Sequence, residues 1–300
     1  MPPAVMALGF FDGVHKGHQQ VIRSAVLLAE EKGFKSAVMT FDPHPSVVLS
    51  QKHNQVHYIT PLEAKLKLIE QLGVDFVYVI RFTSAFAGLE PQEFIDRYVI
   101  ALNVQHAVAG FDYTYGKFGK GTMETMTEHS KGHFGVTTVP MHTDSGGKVS
   151  STAIRRALQD GEVQLASRLL GRFYSAEGTV VHGEKRGRTI GFPTANVRLD
   201  ADYMIPAPGV YAVSIHVVGS WHAGVCNVGY KPTFNKPGES SLSIEVHVFD
   251  FEKSIYGERV AIEWHRRIRS EQKFSGIEEL KSQIAKDKQT ALDYFHSIQD

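Results

Sequence analysis

The 300-residue sequence holds one cysteine, Cys226, which rules out an internal disulfide framework and fits a reducing compartment. An excess of either charge is missing too, since Lys plus Arg and Asp plus Glu stand at 32 each. No global field therefore argues for nucleic acid or an anionic membrane surface. The basic run His265-Arg-Arg-Ile-Arg269 is isolated, and isolated basic runs are usually solvated faces. No apolar stretch approaches the roughly 18 residues of a membrane-spanning helix. The first residues, Met1-Pro-Pro-Ala-Val-Met-Ala-Leu8, lack the basic and long apolar regions of a signal peptide. A cytoplasmic protein is expected. The pattern GxxxxGK[ST] is absent and no GxGxxG follows a strand-like run, so neither a P-loop nor a dinucleotide fingerprint is supported. Zinc is disfavoured as well, because no HExxH or paired-cysteine spacing occurs.

What is present suits two packed domains, at roughly 150 residues each. The chain is 42% hydrophobic with 18 Phe and 11 Tyr. Its most informative stretch is Gly9-Phe-Phe-Asp-Gly13-Val-His15-Lys-Gly17-His18-Gln19, between an apolar run (Val5–Leu8) and a helical pattern (Val21, Ile22, Ala25, Leu28, Ala29). A strand, a glycine turn and a helix start form an anion site, because first-turn N–H groups lack partners and the helix dipole favours negative charge. Gly13 and Gly17 let the main chain approach a phosphate. His15 and His18 can bond phosphate oxygens, and no covalent nucleophile is evident, so the chemistry implied is positioning and charge stabilisation.

Up to about Leu170 strands and helices alternate. Strands are expected at Ser36–Phe41, Val74–Ile80, Val104–Ala109 and Val136–Val139, with helices at Pro61–Leu72, capped by Thr60, and Pro91–Leu102. That order predicts a parallel sheet covered by helices, with ligands beyond the carboxyl ends of its strands. Polar clusters follow those ends: Asp42-Pro-His44-Pro45, the glycine- and tyrosine-rich Gly110–Gly121, and Lys148-Val-Ser150-Ser151-Thr152-Ala-Ile-Arg155. Hydroxyls at a helix start plus an arginine make a second anion site. All four clusters should converge on one rim.

Between about 160 and 172 the pattern changes, which places the boundary between domains 1–165 and 166–300. Short β-rich runs follow: Ala176–His182, Gly209–Val218, His222–Val228, Leu242–Phe249 and Arg259–Arg267. They predict a small antiparallel barrel, with a terminal helix over Ile277–Ile298. The barrel has its own glycine loop, Gly183-Glu-Lys185-Arg186-Gly187-Arg188-Thr-Ile-Gly191-Phe-Pro193-Thr194-Ala-Asn196, suited to phosphate. Thr194 and Asn196 alternate onto one side of an extended segment, where both oxygens suit one Mg²⁺ or phosphate. Glu245, on a strand with His247, is a candidate general base. Cys226 reads as a small buried hydrophobe.

Gly9–Gln19, Thr40–Pro45, Gly110–Gly116 and Ser150–Arg155 recur in the first half of one known family. Gly187–Asn196, Pro208–Ala212, Asn227–Phe234, Glu245–Phe251 and Arg269–Phe274 recur in its second half. On these motifs, in this order, the chain closely resembles the bacterial bifunctional riboflavin kinase/FMN adenylyltransferase (FAD synthetase) family from Val5 to the last helix. The resemblance implies an α/β protein: an N-terminal Rossmann-like HxGH nucleotidyltransferase domain and a C-terminal riboflavin kinase barrel. It implies ATP as co-substrate, FMN and FAD as products, Mg²⁺ at both sites, and no nucleic-acid or membrane partner. In the first domain His15 and His18 would be catalytic. Gly9, Phe11, Asp12, Gly13, Gly17, His44, Ser151, Thr152 and Arg155 would bind ATP, and Asp112, Tyr113 and Tyr115 the flavin. In the second, Glu245 would be the catalytic base, Thr194 and Asn196 would hold the metal, and Gly183, Lys185, Gly187, Arg188, Gly191 and Pro193 would complete the ATP site. Phe10 departs from the family, where Asn is frequent, and few residues precede the first strand. Two rivals stay open on the residues alone: an enzyme active in one half only, and a flavin- or RNA-binding regulator using the barrel and the 265–269 run.

Overall fold

The computed structural model describes residues 1–49, 56–144, 147–183, 187, 191–232 and 240–298. The chain divides into two compact units, Met1–Ser151 and Thr152–Asp300.

In the first unit β1 (Ala4–Leu8), β2 (Lys35–Asp42), β3 (Phe76–Arg81), β4 (Val104–Gly110) and β7 (Gly135–Val139) form a parallel sheet in the order β3-β2-β1-β4-β7. All five residues of β1 are buried, as expected of a central strand with helices on both faces. Its side chains alternate between two cores. Ala4, Met6 and Leu8 pack with Met39, Phe94, Ile95, Val99 and Met126. Val5 and Ala7 pack with Val21, Ile22, Ala25 and Ala29 of the helix Lys16–Lys32 and with Ile69. Two short ladders decorate the sheet, β5 (Thr114–Tyr115) with β6 (Gly121–Thr122) and β8 (Thr143–Asp144) with β9 (Gly147–Lys148).

Two helices differ from expectation. The helix expected from Pro61 runs Leu62–Glu70 and is capped by Pro61 without a side-chain bond. Thr60 is not the cap: it is buried and its N–H donates to Asp12. The segment expected as one helix from Pro91 to Leu102 is an α-turn, Pro91–Phe94, that widens into a π-helix over Ile95–Ile100. The Ala101 N–H donates to Asp96 at 3.1 Å, the i→i+5 bond that defines such a turn.

The second unit opens within the helix Ser151–Asp160 and continues through the helix Val163–Leu170 into a closed antiparallel barrel. Its strands are β10 (Tyr174–Val181), β11 (Ala195–Leu199), β12 (Gly209–Val217), β13 (Ser220–Pro232), β14 (Ser240–Val248) and β15 (Arg259–Arg269), in the order β10-β11-β14-β13-β12-β15. Five runs were legible as strands. The sixth, β11, is only five residues long and closes the barrel between β10 and β14. The terminal helix Ile277–Ser297 places Ala291 and Phe295 against Val210, Ala212, Val225 and Phe249. The basic run serves this packing. Arg267 donates to the carbonyls of Asp160 and Pro208, and Arg269 grips the buried carboxylate of Asp287. No helix among the described residues is long and apolar enough to cross a membrane.

Candidate active sites

β1 lies between β2 and β4, so the chain leaves it where the strand order reverses. At such a switch point the loops beyond the strand ends part into a crevice. The Gly9–His15 loop occupies that position, the segments after β2 and β7 meet it, and the loop after β4 meets the segment after β7. The Phe10 ring faces His44 edge-on at 4.4 Å, and Ser151 Oγ donates to the Asp12 carbonyl at 2.9 Å. Lys16 Nζ pairs with Asp144 at 2.9 Å, and Lys148 Nζ with Asp112 at 2.7 Å. The four clusters do converge.

His15 caps the helix Lys16–Lys32, its Nδ1 accepting the His18 N–H at 3.2 Å. A ring nitrogen that accepts carries no proton, so His15 holds its proton on Nε2, where it can be donated to an oxygen. The His18 ring stacks on it at 3.5 Å with 18° between planes. Gly13 has φ +89°, a conformation that favours glycine, and a Cβ on Gly17 would press on the His15 ring at 3.3 Å. Gly9 is also small for a packing reason, since a Cβ there would lie 2.7 Å from the Phe11 ring. His44 Nδ1 accepts the Ser46 N–H at 3.1 Å, which leaves its proton on Nε2 as well.

Some expected contacts fall elsewhere. Phe11 and Asp12 are each 2% exposed. The Phe11 ring lies in the core against His18, and the Asp12 carboxylate accepts the N–H groups of Ile59 and Thr60 at 3.3 and 3.0 Å. Both side chains brace the loop from below, so a nucleotide contact from these positions would come from backbone. Tyr115 is likewise core: it packs on Phe94, and its hydroxyl meets His129 Nδ1 at 2.7 Å. Tyr113, half-buried, stacks on Tyr115, and burial pushes its phenol pKa up. Asp112 is exposed. Thr152 and Arg155 follow Ser151 in the first two turns of the helix Ser151–Asp160.

One charged residue escaped sequence reasoning. Lys65 is 2% exposed, and its Nζ donates to the Phe10 carbonyl at 3.1 Å and Thr40 Oγ1 at 2.9 Å. Burial lowers its pKa to about 8, against the opposing pull of Asp12 and Asp42. The signal was its spacing, four residues before Ile69 on the core-facing stripe of the helix.

In the barrel the second site forms where β11, β14 and β13 run side by side. Glu245 on β14 is opposite Asn196 on one side and Asn227 on the other. Its Oε1 accepts from Ser243 Oγ at 3.1 Å and its Oε2 from Thr194 Oγ1 at 3.4 Å. The Asn196 carboxamide fills the space that a Cβ on Gly183 would need. His247, two residues along β14, donates through Nδ1 to the Pro193 carbonyl at 2.8 Å and packs edge-on to Phe192. It thus pins the segment carrying Thr194, and burial lowers its pKa. Gly191 has φ +86°, and the Phe192 N–H donates to the Gly187 carbonyl at 2.9 Å. Lys185, Arg186 and Arg188 lie outside the described residues. The donors gathered here are a hydroxyl, a carboxamide and a carboxylate, all hard oxygens. They fit Mg²⁺, which typically takes one or two protein ligands beside nucleotide phosphates. Among the described residues no cluster of three His, Cys, Asp or Glu suits a softer metal.

The family model described as FAD synthetase matches residues 1–153, and the one described as riboflavin kinase matches residues 170–295. A bifunctional riboflavin kinase/FMN adenylyltransferase of Bacillus subtilis (strain 168) is 57% identical over 98% of this chain and 93% of its own length. The protein so named from Listeria monocytogenes is 52% identical over 99% of this chain and 94% of its own, and that of Escherichia coli (strain K12) 36% identical over 97% and 92%. A crystal structure described as a macrolide-efflux protein from Streptococcus pneumoniae has a TM-score of 0.90 at 38% identity, covering 96% of this chain and 93% of that one.

Proposed function

The chain belongs to the bifunctional riboflavin kinase/FMN adenylyltransferase family, and from that premise we propose how its residues divide the two reactions. It phosphorylates riboflavin to FMN with ATP, then joins AMP from a second ATP to FMN, giving FAD and pyrophosphate. The observation that carries the division of labour is that the loop after β1 and Glu245 lie in different units, the first on the parallel sheet and the second on the barrel. We place the working boundary at 165/166, inside the stretch between the two family matches.

In the first domain an FMN phosphate oxygen attacks the α-phosphorus of ATP, and the bond to the β-phosphate oxygen breaks. His15 donates from Nε2 to the phosphate chain, and His18, stacked on it, stabilises the charge that grows on the leaving pyrophosphate. The amides around Gly9, Gly13 and Gly17 receive phosphate oxygens at the helix start, while His44 borders the nucleotide. Ser151, Thr152 and Arg155 hold the departing phosphates. Asp112 and Tyr113 border the flavin, with Tyr115 as the floor beneath.

In the barrel Glu245 takes the proton from the ribityl 5′-hydroxyl as that oxygen attacks the γ-phosphorus and ADP leaves. Ser243 and Thr194 orient its carboxylate. Thr194 and Asn196 would hold Mg²⁺, which neutralises phosphate charge when bound. Gly183, Lys185, Gly187, Arg188, Gly191 and Pro193 complete the ATP cradle. The single free cysteine, Cys226, suits a reducing compartment, and we place the enzyme in the cytoplasm. A time course with purified protein, riboflavin, ATP and Mg²⁺ tests the assignment: FMN should accumulate first and FAD follow, and a chain that makes neither product refutes it.

A further inference from the structure

Lys65 stands directly beneath the loop that the adenylyltransferase reading uses, yet no step of that reaction employs it. Two donors, its ammonium at 3.1 Å and the Thr40 hydroxyl at 2.8 Å, converge on the Phe10 carbonyl. The same ammonium lies 4.3 Å from the centre of the Phe10 ring. Because a peptide is planar and trans, drawing the Phe10 carbonyl inward directs the Phe11 N–H the opposite way. Phe11 itself has φ +56°, so the turn into Gly13 is a conformation that needs such support. The charged groups that reach Lys65 are Asp12 from the loop and Asp42 from the end of β2. Arg81, opposite Asp42 on β3, and Glu63 and Lys67 of its own helix are exposed. Burying an ammonium is costly, and methionine or leucine would pack this helix stripe more cheaply.

Resting on the adenylyltransferase reading, we propose that Lys65 is a positioning residue for adenylyl transfer. Through the Phe10 carbonyl it fixes the Gly9–Gly13 turn, and its charge favours the phosphate that the turn receives. Lys65→Met keeps the apolar stem and removes donor and charge. In the 300-residue chain it should lower kcat for FMN to FAD about 10-fold or more, with KM for FMN unchanged. Riboflavin phosphorylation, made in the barrel, should keep its wild-type rate and so report an intact protein. The wild-type advantage should be largest below pH 8 and shrink above it, as the lysine loses its proton. A purely structural residue would not impose that pH dependence. Equal FAD turnover in wild type and K65M, or an advantage that stays flat between about pH 7 and about pH 9.5, overturns the proposal. If K65M does not fold, Thr40→Val removes one of the two donors to Phe10; it should slow FAD formation several-fold, and wild-type turnover there also overturns the proposal. A wild-type chain that makes no FAD sinks the underlying reading and this proposal with it, whereas failure of the variants alone sinks only the proposal.

Discussion

Asp287 offers the sharpest test of why the terminal helix stays on the barrel. It is 2% exposed, and Arg269 Nε lies 3.0 and 3.1 Å from its two oxygens, with Nη2 at 2.8 Å. Gln283 adds a donor at 2.9 Å. Replacing Asp287 with Ala leaves the guanidinium facing an apolar hole, and breaking such a pair from one side costs roughly 3–5 kcal/mol. The Arg269 side chain keeps 19% exposure, so water can reach it, and the low end, about 3 kcal/mol, is expected. In a unit of about 150 residues each kcal/mol moves Tm by roughly 2–4 °C, so D287A should melt about 6–12 °C below wild type. Much of that cost belongs to the orphaned charge. The double variant R269M/D287L should therefore recover at least half of it. Calorimetry with FMN formation followed in parallel reads both effects. A single variant shifted by less than about 2 °C, or a double variant as unstable as the two singles summed, would refute the reasoning.

His265 is 5% exposed, its Nε2 has no hydrogen-bond partner among the described residues, and burial pushes its pKa down to about 4. The unfolded chain then binds a proton below about pH 6.5 that the folded chain refuses until about pH 4, so stability falls across that window as pH falls, by roughly 3 kcal/mol at most. His265→Phe should flatten that acid limb in urea titrations, and parallel limbs would contradict the account. His247→Ala frees the Pro193 carbonyl and should raise KM for ATP in FMN formation while leaving FAD formation unchanged in steady-state assays. EDTA should stop phosphorylation and Mg²⁺ restore it, whereas activity that persists in chelator would remove the role given to Thr194 and Asn196.

The position of the Gly9–His18 loop was legible because its signals are local. A glycine turn between an apolar strand and a helix start needs no tertiary knowledge, and the order of strands and helices places it at the right end of a parallel sheet. What escaped depends on contacts distant in sequence. Asp12 reads as a polar loop residue until the amides of Ile59 and Thr60 arrive from about 47 positions away to bind it. Lys65, followed by Leu66 and a second lysine, Lys67, looks like a surface lysine, and only its place on the Ile69 stripe betrays it. Tyr115 shares its motif with Tyr113, yet the ladder Thr114–Tyr115 with Gly121–Thr122 turns one ring into the core. In the barrel β11 was hidden because its first residues double as the Thr194–Asn196 motif, and five residues carry too little alternation to stand out. The basic run 265–269 read as a solvated face, whereas Arg267 and Arg269 hold the helices to the barrel.

On the proposed division of labour, two sites in one chain run two consecutive reactions with separate residues. Chromatography of products from His18→Ala and Glu245→Gln, each given riboflavin, ATP and Mg²⁺ and, separately, FMN and ATP, tests it most directly. H18A should make FMN at the wild-type rate and almost no FAD. E245Q should convert supplied FMN to FAD normally and lose riboflavin phosphorylation by roughly 10²–10⁴-fold. Loss of both reactions in either variant, with the protein still folded, would contradict the division of labour.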